Sequence, residues 1–497
     1  MTSVPKRDSM DATTDSLEAK LKAATLDQST SRKRPLGLTD LPPSIRNNIY
    51  KYTLDTELVN VGKPNVSYTH SIQDGVLQFK ASRSPFPINT SLFYVNKQIS
   101  NEALRYFYSK NLFVRFEIYS SDARHAKTML EDSGLLFSTA NPTLLEESKR
   151  HALEVVLVEK NSSQKRGAVM FPAQYLPRLI NFLDQASRAT EIWAPAHALF
   201  LNVVNSYDFP VSRLQGDLLE LFRLLANLGG ATVDSKNLLP RYGEGLQRDM
   251  TSPKFTAENW MKTLTELAEL ADEARENEKY ALANEYGQAV VIALTYGYLT
   301  HGEELHSQEE DFAKGVQRLR WRTELGIGIA LSLQHRSLTS SKDWLENTAP
   351  ETKLAARDLL LAETAVSKAL SLATDSPSPA SNPWFLSLPV ELIPPNKPTW
   401  FTDRERAQSW YALGTVHTAL GEYLFGAGDL ERALELWGAA GEDSGVSDKE
   451  GKEGRARVEK AFEKARQGID GDAENMWVGK VRPGSGLKRA AALARGL

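Results

Sequence analysis

Hydrophobic and polar positions change period along this 497-residue chain. Behind Pro42 and Pro43, which suit a first helical turn, Ile45, Ile49 and Tyr52 recur at helical spacing, with Asp40 placed to cap. Such a stripe must pack against something, either the core of its own domain or a partner. A second amphipathic run over residues 92–108 leads into a strand that starts near Leu112. Between the two runs, residues 58–62 and 75–79 read as a strand pair around a turn-rich loop. Strand and helix signals then alternate: strands over 112–119, 151–158, 198–204 and 231–233, helices near 122–130, 173–186 and 213–226. Near-continuous apolar strands between helices predict an α/β or α+β N-terminal half with a mostly parallel sheet covered on both faces.

From about Thr256 the strand signal ends and helical periodicity dominates, predicting an all-α C-terminal half. Pro377, Pro379, Pro383, Pro389, Pro394, Pro395 and Pro398 interrupt it, so a long loop is expected there. The expected parts are a disordered segment over 1–36, a domain over 37–118, strand-helix units over 119–250 packing with it, and helical hairpins over 256–373. A Pro-rich loop over 374–402, a hairpin with a capping helix over 403–470 and a basic tail over 471–497 complete the division.

Two stretches resemble known families. Residues 40–52, followed later by Val95-Asn96-Lys97-Gln98-Ile99, Glu102-Ala103-Leu104, Phe107-Tyr108 and Asn111-Leu112-Phe113, resemble the F-box-like domain of fungal proteins. The resemblance covers roughly the first quarter of the chain. It implies that Leu41, Pro42, Ile45, Ile49, Val95 and Ile99 clasp a Skp1-type adaptor of a ubiquitin ligase; the inserted strand pair departs from the family pattern. Residues 218–233, leucine-spaced and then Gly229-Gly230 and a strand, are similar to the leucine-rich-repeat-like units that follow such segments. Trp410-Tyr411-Ala412-Leu413-Gly414 and residues 428–437 resemble a tetratricopeptide repeat, a helical hairpin that needs small residues where backbones cross. The resemblance implies that Trp410, Leu413, Gly414, Ala433 and Trp437 pack the hairpin. Gly414 and Ala433 lie about two helical turns further apart than the repeat places them, so a longer first helix is expected. Further hairpins are expected at 267–294 and at 319–333 with 354–372. The lysine and asparagine by which some such repeats hold chaperone C-termini fall on Ala268 and Asp272, so that activity is not expected.

Composition narrows the chemistry. With no cysteine, disulfides, thiolate zinc sites and cysteine nucleophiles are excluded. A formal net charge of −4 gives no global drive toward nucleic acid or anionic membrane. The first residues mix both charges without an apolar segment, and no run reaches bilayer length, so cytoplasm or nucleus is expected. Arg32-Lys33-Arg34 reads as a short import signal or a solvated linker. His301 and His306, five residues apart, turn away from a common helix face, unlike zinc-binding pairs, and neither a phosphate-cradling loop nor a nucleophile elbow is present. No metal, cofactor or catalytic group is therefore expected. The reading is a non-catalytic adaptor with protein partners, a Skp1-type adaptor and an unknown client, without nucleic acid or membrane. The alternative is a tetratricopeptide scaffold or cochaperone-like protein without ligase binding. Burial of Leu41, Ile45 and Ile49 in their own domain would favour the alternative.

Overall fold

The computed structural model describes residues 37–148, 150–205, 209–341, 343–375, 383–443, 448–477 and 483–495. The expected disordered segment and the Arg32–Arg34 cluster lie outside them. The described residues fall into two compact units. The first holds residues 37–61 and Pro87–Lys110, the second Gly62–Phe86 and Asn111–Leu497. The segment over 62–86, which lies in sequence between the two parts of the first unit, therefore belongs to the second unit.

In the first unit, α1 (Pro43–Leu54) packs on α2 (Lys97–Lys110). Asp40 does not cap α1. Its carboxylate accepts from the Gly37 amide at 2.7 Å and closes a preceding 3-10 turn, while the Ile45 and Arg46 amides bond the Pro42 carbonyl. Asn96 caps α2, its side chain accepting from Ile99 N at 2.9 Å. Residues 58–60, expected in a strand, form a 3-10 turn instead.

In the second unit the hairpin is β1 (Tyr68–Gln73) with β2 (Val76–Ala81), joined at Asp74 and Gly75, both at positive φ (51° and 74°). That two-residue turn twists with the strands, which fixes the register Gln73↔Val76. The main sheet contains β3 (Phe113–Tyr119), β4 (Leu153–Glu159), β5 (Lys165–Pro172), β6 (His197–Val203) and β7 (Gly230–Val233), in the order β5-β3-β4-β6-β7. It is mixed, not mostly parallel: β3/β4 and β6/β7 are parallel, β3/β5 and β4/β6 antiparallel. The physical reason is β5, a strand absent from the sequence expectation. A short turn after β4, with Asn161 at φ 65°, reverses the chain, so β5 must run against β4 and against its parallel neighbour β3. The sheet is also not apolar on both faces. Val114, Phe116, Ile118, Val155, Leu157, Val169, Phe171, Leu199 and Leu201 are buried on one face. The other carries Arg115 and Lys165 paired to Glu117, and Asn202 donating to Glu154 at 2.8 Å. Helices α3 (Ala123–Asp132), α4 (Leu176–Ala189), α5 (Val211–Leu218) and α6 (Tyr242–Thr251) intersperse the strands.

The C-terminal half is helical. Three hairpins follow: α7 (Ala257–Glu276) with α8 (Tyr280–Thr300), α9 (Glu310–Gln334) with α10 (Pro350–Ala373), and α11 (Asp403–Ala419) with α12 (Tyr423–Asp443). Then come α13 (Asp448–Trp477) and α14 (Ser485–Ala494). Each helix from α7 to α13 packs on the next, and the first helices of successive hairpins also touch, α7 on α9 and α9 on α11. Helix α14 returns to pack on α10, so the basic tail is not a free terminus among the described residues. No helix of the described residues is long and apolar enough to cross a membrane.

Candidate partner-binding face

Helix α1 buries Arg46, Tyr50 and Leu54, a row one residue out of phase with the apolar stripe. Successive helical residues differ by about 100°, so burying this row turns Ile45, Ile49 and Tyr52 away from the core. The cause lies on α2. Arg46 grips Glu102 through two parallel bonds, Nε to Oε2 at 2.7 Å and Nη2 to Oε1 at 2.8 Å. Tyr50 donates to the same carboxylate at 3.0 Å and Gln98 at 3.1 Å. Hydrogen bonding from Arg46 holds the Glu102 carboxyl below its ordinary range, and burial with the Glu102 contact pushes the Tyr50 phenol up to about 12. Arg46 Nη1 also donates to the Leu41 carbonyl at 2.5 Å, tying the Leu-Pro helix start to this network.

The six expected partner contacts separate accordingly. Ile45 is 45% exposed and Val95 56%, Pro42 is exposed, and Leu41 and Ile49 are half-buried. Ile99 is fully buried and belongs to the unit's own core, so it cannot serve as a partner contact in this conformation. Two further exposed aromatics were not singled out as contacts: Tyr52 at 70% and Tyr94 at 84%. Tyr94 lies in a 3-10 turn just before α2, whose N-cap Asn96 separates the outward Val95 from the inward Ile99. The exposure of Tyr52 follows from the burial of Arg46, Tyr50 and Leu54 on the other side of α1.

In the third hairpin Trp410, Leu413 and Ala433 are buried and Trp437 is half-buried. The close crossing is at Gly414 and Gly426, twelve residues apart: a Cβ on Gly414 would meet Leu430 Cγ at 2.6 Å and the Gly426 carbonyl at 3.0 Å. The helices turn at Leu420-Gly421-Glu422, with Gly421 at φ 74°. Gly426, seven residues before Ala433, thus meets Gly414, which accounts for the two extra turns between Gly414 and Ala433, and Ala433 is fully buried further along α12. Gly287 against Ile327, where an added Cβ would lie 2.6 Å from Cγ1, makes a similar approach between α8 and α9. At the two clamp positions, Ala268 is buried and Asp272 accepts from Arg322 Nε at 2.6 Å and pairs with Arg275.

Other polar clusters pair internally. A recess of about 40 Å³ beside α6 is lined by Arg223, Tyr242, Arg248 and Glu266 among others. Its buried Arg223 donates to Glu220 at 2.9 Å and pairs with Asp249, while Tyr242 donates to Glu220 at 2.8 Å. His301 stacks on Phe255 with centroids 3.7 Å apart, and His306 pairs with Glu391. Among the described residues no group of three or more His, Cys, Asp and Glu side chains is placed to hold a metal ion. Comparison of the chain with protein-family models, curated proteins and solved structures finds no match.

Proposed function

We propose that this chain is a non-catalytic protein-interaction adaptor, in which an F-box-like pair of helices docks a Skp1-type adaptor of a ubiquitin ligase and tetratricopeptide-like hairpins engage a client. The observation that carries the reading is the outward stripe of α1. Ile45 and Tyr52 stay exposed because the core takes Arg46, Tyr50 and Leu54 instead. Exposed apolar residues in a row are costly to keep in water unless a partner covers them. The order of helix packing, each helix on the next and first helices on one another, supports stacked hairpins as the second surface. Such an adaptor needs no cofactor, nucleic acid or membrane and acts in the cytoplasm or nucleus.

One observation favours the second reading, a tetratricopeptide scaffold or cochaperone-like protein without ligase binding. Ile99, an expected contact, is unavailable, and the inserted segment separates the two helices in sequence. Co-purification with a Skp1-type adaptor decides between them. The intact chain is expected to capture the adaptor and the Ile45→Asp/Ile49→Asp variant to lose it. Capture by neither chain rejects the ligase reading and leaves the scaffold.

A further inference from the structure

Two helices of the second unit carry exposed charge of a single sign. On α7 the core takes Trp260, Leu264, Leu267, Ala268 and Ala274, which leaves Glu269, Glu273 and Glu276 exposed. They recur at i, i+4 and i+7 and so form one line down the outer face. On α14 the core takes Gly486 and Ala490. Lys488, Ala492 and the C-cap residue Arg495 stay exposed at the same spacing, with Arg489 beside them. None of these charged side chains has an ion pair or a hydrogen bond among the described residues. Surface cations elsewhere on the hairpins are met: Arg275 by Asp272, Arg318 by Glu405, Arg357 by Asp358, Arg406 by Asp403 and Arg455 by Glu459.

Neither line of charge helps its own helix. Glu269 and Glu273 repel one another at i, i+4, and Glu276 ends α7 where the helix dipole is already negative. Lys488 closes the first turn of α14, at the positive end of that dipole. The carboxylate held against that turn, Glu422, is occupied by the Gly484 and Leu487 amides. The same cap fixes the direction in which the basic face points. Within one chain α14 packs on α10, and no ion pair joins the two lines, so the charge that would neutralise them comes from another molecule.

We propose that the basic face of α14 docks on the acidic face of α7 in a second copy of this chain. At about 1.5 Å of rise per residue, Lys488 to Arg495 and Glu269 to Glu276 each span about 10 Å. Antiparallel helices then set Lys488 against Glu276 and Arg495 against Glu269, and Arg489 is left to reach Glu273. That direction also brings the positive end of α14 to the negative end of α7. Each copy carries one face of each sign, so the contact is head-to-tail. A twofold dimer satisfies both faces at once, and any other arrangement extends to further copies. Exposed ion pairs are individually weak and screened by salt, which makes the association reversible and salt-sensitive. A lipid surface fits α14 less well, because the apolar side it would insert already lies on α10. The proposal goes beyond the adaptor reading and does not rest on it.

Sedimentation velocity on the full chain tests it, at ionic strengths of about 0.01 M and about 1 M, where charges act over about 30 Å and about 3 Å. The mean sedimentation coefficient is expected to rise with protein concentration at low salt and to stay constant at high salt. Lys488→Glu/Arg495→Glu and Glu269→Lys/Glu276→Lys should each weaken the association at least about tenfold. The chain carrying all four reversals has the net charge of the intact one and should associate again, as should a mixture of the two reversed chains. A chain that stays monomeric at low salt overturns the proposal, as does association that survives either reversal or is not restored by all four together. Where reversal on α14 lowers the melting temperature, the α7 reversal decides: association lost supports the contact and association kept overturns it. Capture of a Skp1-type adaptor depends on the first unit, so it can fail or succeed independently of this result.

Discussion

At Arg46 a single side chain ties together the Leu41 carbonyl, helix α1 and Glu102 of α2. The pairing carries a pH signature. The hydrogen bond from Arg46 depresses the Glu102 carboxyl, so its contribution to stability is complete above the ordinary carboxylate range and is lost as pH falls through the depressed value. Glu102→Gln is therefore expected to lower the melting temperature at pH 7 and to match the intact chain near pH 3, where both carry a neutral group. A gap of equal size at both pH values would refute the assignment. The same residue shows why the candidate face was only half legible. Ile45, Ile49 and Tyr52 stood out as a stripe, but an arginine and a tyrosine took the buried side because a bidentate partner waited on a helix more than forty residues away. Ile99, equally apolar in sequence, went to the core.

At the scale of elements, helix and strand periods located most of the secondary structure: β3, β4, β6 and β7 fall where apolar runs predicted them. Strand β5 was missed because Lys165 and Arg166 open it and Pro172 closes it, which masks its apolar centre. Asp74-Gly75 was a readable hairpin signal that relocates the first strand to Tyr68–Gln73. The hairpin crossing yields a paired prediction. Gly426→Val should destabilise by about 1–3 kcal/mol, because a Cβ there meets Thr418 Oγ1 at 2.5 Å and the Gly414 carbonyl at 3.0 Å. Gly428→Ala, two residues on in the same helix with nothing within 4 Å, should be neutral or stabilise by up to about 1 kcal/mol. Urea unfolding of the two variants checks this, and equal effects would mean that the crossing is not tight.

At the scale of the molecule, the second unit is completed by α14, whose first turn is held by the buried Glu422. Its carboxylate accepts from Gly484 N at 2.7 Å and Leu487 N at 3.0 Å, and Gly486 packs on the Leu420 carbonyl. Removing residues 484–497 is expected to lower the melting temperature by several degrees. Glu422→Gln should lower the melting temperature less than the truncation does, by the loss of about 1–3 kcal/mol of stability, since a neutral acceptor replaces a charged one. An unchanged melting curve after truncation would show that α14 adds nothing to the hairpins. The sequence by itself determined the places of β3, β4, β6 and β7, most of the helices, the change to all-helical structure near Thr256, and Gly414 as a small residue of the third hairpin. These follow from local periodicity, caps and turn residues, which act over a few positions. Only the tertiary structure decided that the sheet is mixed, that the proline-rich stretch is a packed strap, and that the Ile45 stripe faces outward. Each of those depends on a partner distant in the chain, β3 for β5, α9 for the strap and Glu102 for Arg46, and no local pattern encodes such pairings.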